Sequence, residues 1–164
     1  MTRLELVYDK ILPLAELSRR RCGWRNISQR TVFTNGVFDL VHPGHLTYLA
    51  EAASLGHRLI VGVNTDASVR RLKGCSRPIM SLDARMQLLA SLFFVDGVIP
   101  FEEDTPLHLI EALRPDILVK GGDYRPDDIV GAAEVRGWGG RVEVLPYLDG
   151  HSSTNIMAAI REEV

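Results

Sequence analysis

The residues with the most chemical capacity fall in the stretch TNGVFDLVHPGH, residues 34–45, where His42 and His45 flank a Pro-Gly pair between an apolar run and a helical pattern. Two imidazoles in that place suit anion chemistry. A helix start offers backbone N–H groups without partners and the positive end of the helix dipole, and Gly44 has no side chain to hold a phosphate away from the backbone. Metal ligation is a weaker use of the pair, because no Cys, Asp or Glu stands beside it at ligand spacing. Taken alone, the stretch is equally a Pro-Gly turn with capping histidines.

Three more clusters carry charge or hydroxyls: RRLKGCSRP at 70–78, KGGDY at 120–124 and HSSTN at 151–155. Each has a plain structural reading, as a solvated basic face, a glycine turn and a helix N-cap respectively. Their common position gives them more meaning. Each follows a segment that reads as a strand, and open parallel sheets bind ligands beyond the carboxyl ends of their strands. The opposite connections, EAASLGH at 51–57 and EALRPD at 111–116, carry no comparable group of residues.

The elements that must position these clusters alternate regularly. RTVFT at 30–34 precedes a helical pattern with Leu46, Leu49, Ala50 and Ala53 on one face and Gly56 as its stop. RLIVGV at 58–63 leads into a short helix from about Asp66. SLDARMQLLASLFF places Leu82, Met86, Leu89 and Phe93 on one helical face behind a Ser81 cap. GVIPF is a third strand. Thr105 is read as a cap with Pro106 at the first helical position, ahead of LHLIEALR and a fourth strand, DILVK. A helix in IVGAAEVRGWGG, a fifth strand in RVEVLPY and a helix in TNIMAAIREEV complete the series. Strands joined by helical crossovers pair in parallel and are covered on both faces. The expected fold is therefore α/β, a Rossmann-like three-layer sandwich around a five-stranded parallel sheet. Residues 1–29 form a helical leader of one or two turns, limited by Pro13 and packed on a core unit of residues 30–164.

Bulk properties exclude several classes. The chain has 164 residues, 46% of them hydrophobic, with 19 Lys and Arg against 21 Asp and Glu, a net charge of −2. That balance leaves no basic footprint for nucleic acid or an anionic membrane. No apolar run approaches the roughly 18 residues of a membrane span, and the polar start MTRLELVYDK is no signal peptide. Two cysteines far apart, Cys22 and Cys75, fit a reducing, cytoplasmic setting and no disulfide framework. G-x-G-x-x-G after the first strand and the P-loop pattern are both missing.

NGVFDLVHPGH resembles the H-x-G-H motif of the cytidylyltransferase-like nucleotidyltransferases, and SSTNI is similar to their second signature, a Ser/Thr-rich helix start. With RLKG, SRPI, DAR and FEEDTP…LVKGGDY in order, residues 30–160 resemble the adenylyltransferase domain of the bifunctional heptose-phosphate kinase/adenylyltransferase family. The resemblance implies transfer of AMP from ATP to a heptose 1-phosphate, giving ADP-heptose for the lipopolysaccharide core. It further implies Mg²⁺ held mainly by nucleotide phosphates, with no direct metal ligand assigned. It makes His42, His45 and Lys73 catalytic. Thr34, Asn35, Gly36, Phe38, Gly44, Lys120, Gly121, Gly122, Asp123, Ser153 and Thr154 become nucleotide-binding residues, and Asp39 and Arg77 sugar-phosphate contacts. The family's DGCSTTN reads DGHSSTN here, so His151 and Ser153 are departures within an anion-binding loop. With its own Met1 and no kinase half, the chain is expected to work as a stand-alone enzyme.

Cytidylyl transfer from CTP to glycerol 3-phosphate is the nearest alternative. Those enzymes place an Arg just before the Ser/Thr cluster, whereas PYLDGHSST at 146–154 has none. Flavin or pantetheine-type adenylyl transfer fits the fourth-strand loop less well, and a non-catalytic nucleotide-binding module leaves the convergent histidines and lysines unexplained. Leu92, Phe93, Phe94 and Val95 in succession are either core or a contact with a second chain; the resemblance implies a homodimer.

Overall fold

The computed structural model describes residues 1–146, 150 and 152–162. Five parallel strands, β1 Thr31–Gly36, β2 Arg58–Asn64, β3 Gly97–Phe101, β4 Ile117–Gly121 and β5 Arg141–Leu145, lie in the order β3-β2-β1-β4-β5. The order reverses at β1, between β2 and β4. A crevice is expected beyond that point, and the stretch with the two histidines leaves the sheet there.

Alternation along the strands builds the two outer layers. Val32, Leu59, Val61 and Val63 face one side, with Tyr48 and Leu49 of α3 (Pro43–Ser54) and Met86 and Leu89 of α5 (Leu82–Ser91). Phe33, Ile60 and Leu118 face the other, with Leu109, Ile110 and Leu113 of α6 (Leu107–Leu113) and Val135 of α7 (Ala132–Gly137). Period-two strands between period-3.6 helices thus give a three-layer sandwich with apolar packing on both faces. Among the described residues no helix is long and apolar enough to cross a membrane.

The leader holds two helices, α1 (Arg3–Tyr8) and α2 (Leu14–Asn26), and the 13-residue α2 exceeds the one or two turns read from sequence. Pro13 stands between them as the N-cap residue of α2, so the leader is not one continuous helix. Leu17 is fully buried against Gly97, where a Cβ would lie 2.8 Å from its Cδ1. Leu12 N–H donates to the Val98 carbonyl and Val98 N–H to that of Lys10, so the leader lies along the free edge of β3.

Several local expectations shift. α5 stops at Ser91, so Phe93 leaves the helix and is 92% exposed instead of continuing the core face. On α3 the buried set is Gly44, Tyr48, Leu49 and Ala52, while Leu46 is exposed; the Tyr48 hydroxyl has buried partners in Thr34 and the Val119 carbonyl. Pro106 is itself the N-cap residue of α6, without a side-chain cap from Thr105.

Candidate active site

β1 ends at Gly36, and the chain turns through Phe38, whose φ of 51° lies in the left-handed region that side chains seldom adopt. A Cβ on Gly36 would sit 3.0 Å from the Phe38 ring, so a larger residue there would press on that ring. The ring meets His45 edge-on at 5.4 Å.

His42 is the N-cap of α3. Its Nδ1 accepts from Gly44 N–H at 3.1 Å, and its own backbone N–H donates to His45 Nδ1 at 3.4 Å. This reciprocal cap uses histidines where Ser and Glu are usual. It occupies the Gly44 N–H and leaves a neutral His45 ring with its hydrogen on Nε2. The rings lie 3.9 Å apart between centroids, tilted by 30°. Burial, then the neighbouring His42, then Lys73 push the His45 pKa down to about 4 against an opposing pull from the Leu40 carbonyl, so this imidazole is neutral at pH 7.

Two adjoining cavities open at this edge. The smaller, about 150 Å³, is lined by Phe38, Asp39, His45, Tyr48, Arg77, Gly121 and Ser153; the larger, about 490 Å³, by Asn64, Leu72, Asp104, Thr105, Pro106, Leu118, Tyr124, Asp128, Ile129 and Val130. Asn35, Gly36, Val37, Lys73 and Lys120 line both. Lys73 is the last residue of α4 (Asp66–Lys73), and Lys120 lies in β4 with its ammonium 5.7 Å from the Tyr124 ring centroid. Burial lowers the Lys120 pKa, a desolvation that a bound anion relieves. Ser153 opens α8 (Ser153–Glu162), and the Ser152 hydroxyl accepts from Asn155 N–H at 3.0 Å as its cap.

Among the described residues Asp39 is the only carboxylate lining the smaller cavity, and it is engaged from several sides. It accepts from Arg77 Nε at 2.6 Å and from the backbone N–H groups of Ile79 and Met80 at 2.8 Å each. Burial pushes this carboxyl up, but the two N–H donors and the guanidinium together hold it below its ordinary value. Arg77 therefore reaches the cavity pinned from behind, and its Nη1 lies 2.8 Å from Met157 Sδ on α8.

The remaining sequence-derived candidates lie outside the linings of these two cavities. Thr34 is fully buried, its hydroxyl 2.5 Å from that of Tyr48, which donates to the Val119 carbonyl at 3.3 Å. This ties β1, α3 and β4 together. His42 and Gly44 are buried in the cap, Gly122 follows β4 with a φ of 107°, and Asp123 and Thr154 are exposed. His151 lies outside the described residues.

Arg85 closes the DAR segment quoted for the resemblance, which gave it no role. Fully buried, it donates to the carbonyls of Met80, Val37 and Asn64 and to the Asp66 carboxylate, joining the ends of β1 and β2 to the start of α4 and to the 77–80 loop. Its signal was present in the sequence: a charge at 85 falls on the helical face that Leu82 and Leu89 define.

The sequence matches the cytidylyltransferase-like family over residues 33–159. The chain belongs to this cytidylyltransferase-like family. It is 56% identical to the bifunctional protein HldE of Cronobacter sakazakii over 161 residues, 98% of this chain and 33% of that protein. The chain spans about a third of the length of the curated relatives it matches. Among solved structures, the lipopolysaccharide core biosynthesis protein of Thermoplasma volcanium is 29% identical, with a TM-score of 0.60 over 73% of this chain and 97% of that one. The pantoate-beta-alanine ligase of Francisella tularensis, 16% identical, shares the fold at a TM-score of 0.60 over 94% of this chain and 78% of that one. In this cytidylyltransferase-like chain, the H-x-G-H residues are those of the reciprocal cap.

Proposed function

We propose that the chain transfers AMP from ATP to D-glycero-β-D-manno-heptose 1-phosphate, releasing pyrophosphate and forming ADP-heptose for the lipopolysaccharide core. The carrying observation is the neutral His45 imidazole beside Lys73, Lys120 and Arg77 in one cleft at the sheet's reversal point. The similarity to HldE and to a lipopolysaccharide core biosynthesis protein supports the substrate class. Absence of an arginine in 146–154 favours ATP over CTP.

In this reading an oxygen of the sugar phosphate attacks the α-phosphorus of ATP. The new P–O bond forms as the α–β bridging bond breaks, and pyrophosphate leaves with the electron pair. The attacking oxygen is already anionic near pH 7, so the step needs no strong base. It needs donors fixed where charge accumulates. His45 Nε2–H supplies one without a proton to lose, His42 holds His45 in place from the cap, and Lys73 and Lys120 neutralise phosphates at the junction of the cavities. Arg77, aimed by Asp39, serves the sugar phosphate, and Ser153 with Gly121 frames the nucleotide.

Mg²⁺ belongs to this reading as an ion carried on the nucleotide. The described residues hold no group of three or more metal-ligating side chains, and Asp39 is committed to other partners. They therefore fit an ion held by phosphate and water, as this hard cation allows, and not a protein cage. We also assign the reaction to the cytoplasm, treat 1–29 and 30–164 as one folding unit, and take the protein to be a homodimer through the exposed Phe93 region.

The test is pyrophosphate release with Mg²⁺ and each pairing of ATP or CTP with heptose 1-phosphate or glycerol 3-phosphate. ATP with the heptose is expected to exceed the other pairs. Equal or better turnover with CTP refutes the reading.

A further inference from the structure

The larger cavity contains groups that phosphate chemistry does not call for. It joins the smaller one through Asn35, Lys73 and Lys120, so a phosphate at that junction would have the rest of its molecule on one side or the other. On the larger side the lining includes two carboxylates from separate connections, Asp104 after β3 and Asp128 after β4. Asp128 forms no hydrogen bond or ion pair through its side chain among the described residues, whereas its neighbour Asp127 is paired with Arg136 at 2.5 Å. Asp104 gives one oxygen to Arg71 at 3.2 Å and keeps the other. Leu118, Ile129 and Pro106 supply apolar walls between them.

A carboxylate without a cationic partner, lining the same cavity as two lysines, weakens a purely anionic site. It strengthens a site for a ligand with hydroxyls near its phosphate, since hydrogen bonds to a charged acceptor are among the stronger ones. A polyhydroxylated sugar phosphate has that pattern of one anionic end and several O–H donors. Among the described residues, the smaller cavity, with His45, Ser153 and Gly121, has no uncommitted carboxylate. We infer that the acceptor's sugar lies in the larger cavity and that Asp128, with Asp104 across from a separate connection, determines acceptor specificity by accepting from the sugar hydroxyls. The inference rests on the sugar-phosphate transferase reading above. It sends the sugar ring to the side of β3 and the segment after β4 and the nucleoside to the α8 side, with the phosphates of both reactants, including the one Arg77 serves, between them.

Steady-state kinetics on Asp128→Asn, Asp104→Asn and the double variant test it, with calorimetric titration of heptose 1-phosphate and of ATP into each protein. Asp128→Asn is expected to raise KM for the sugar phosphate roughly tenfold, the double variant more, with the ATP KM and thermal midpoint unchanged. Asp127→Asn, one residue away and bound to Arg136, is the control expected to change neither KM. A rise confined to the ATP KM would place the base in the larger cavity and overturn the inference. So would a double variant indistinguishable from an active parent. A parent that releases no pyrophosphate with any sugar phosphate overturns the transferase reading itself, and this inference with it.

Discussion

Asp39 and Arg77 form a buried ion pair, Oδ2 to Nε at 2.6 Å with side chains 1% and 12% exposed, that fixes the 77–80 loop against the turn after β1. The residues are 38 apart in sequence, and each limits what the other can do. Asp39 has no lone pair to spare for a metal, and Arg77 cannot swing into solvent without abandoning a buried carboxylate.

Asp39→Asn is therefore expected to act as a stability and a binding variant together. Removing one partner of a buried pair costs about 3–5 kcal/mol, because the other charge is left without compensation. Urea unfolding should show that loss, and the KM for the sugar phosphate should rise as Arg77 loses its anchor. A variant with parental unfolding midpoint and parental KM would show that the pair positions nothing.

Acid should destabilise the protein in a window set by His45. Its unfolded pKa near 6.5 and folded value of about 4 mean that between these pH values the unfolded chain binds a proton the native state refuses. Stability is unaffected by this group above 6.5 and falls as pH drops from 6.5 toward 4. Asp39, held low, adds a second loss only below its ordinary value of 3.8, as the pH falls through its folded pKa. Replacing His45 with Phe should flatten the stability curve between pH 6.5 and 4, read as the thermal midpoint against pH. An unchanged slope would assign the acid sensitivity elsewhere.

Much of the fold was legible because its period is strong. GVIPF, flanked by polar residues, is β3 residue for residue, and the five-stranded parallel sheet follows from the helical crossovers. The ends were less legible. β1 runs on to Gly36 because its pairing with β2 continues through Gly36 and Val63, which hydrophobicity does not encode. Phe93 was misplaced because pattern alone extends α5 through any apolar residue at the right spacing, whereas the chain must turn at Leu92 to enter β3. In the candidate site, motifs singled out His45, Lys73, Arg77 and Lys120, which line one cavity, but not their support. Arg85 binds carbonyls 21 and 48 residues away, and Asp104 and Asp128 share a cavity only because β3 and β4 end on the same side of the sheet.

Phe93 gives the homodimer reading a direct test. It is 92% exposed, its ring 5.1 Å from that of Phe94 in an edge contact, with Leu88 exposed on the preceding helix. An aromatic side chain held that far out gains most from burial against a second chain. Light scattering at micromolar concentration should give a dimer mass for the parent and a monomer mass for Phe93→Ser. A monomeric parent retires the idea.

In the proposed reaction His45 bears on catalysis most directly. With Nδ1 occupied by His42 N–H, its Nε2–H is the one donor it can present, and burial keeps the ring neutral. Such a donor would have little to offer a ground-state phosphate that, in the proposed reaction, Lys73 and Lys120 already serve. It matters more when charge shifts onto the α-phosphate oxygens. Only interactions that strengthen on the way to the transition state accelerate the step, so His45→Ala should lower kcat far more than it weakens ATP binding. Loss of one preorganised donor is worth about 3 kcal/mol, a hundredfold or more in rate. His42→Ala removes the cap as well, and should lower both kcat and the thermal midpoint because His42 Nδ1 holds Gly44 N–H and its backbone holds His45. Comparing kcat, the ATP dissociation constant and the midpoint in both variants separates the roles. A His45→Ala protein that folds and keeps near-parental kcat would reduce the pair to a helix cap.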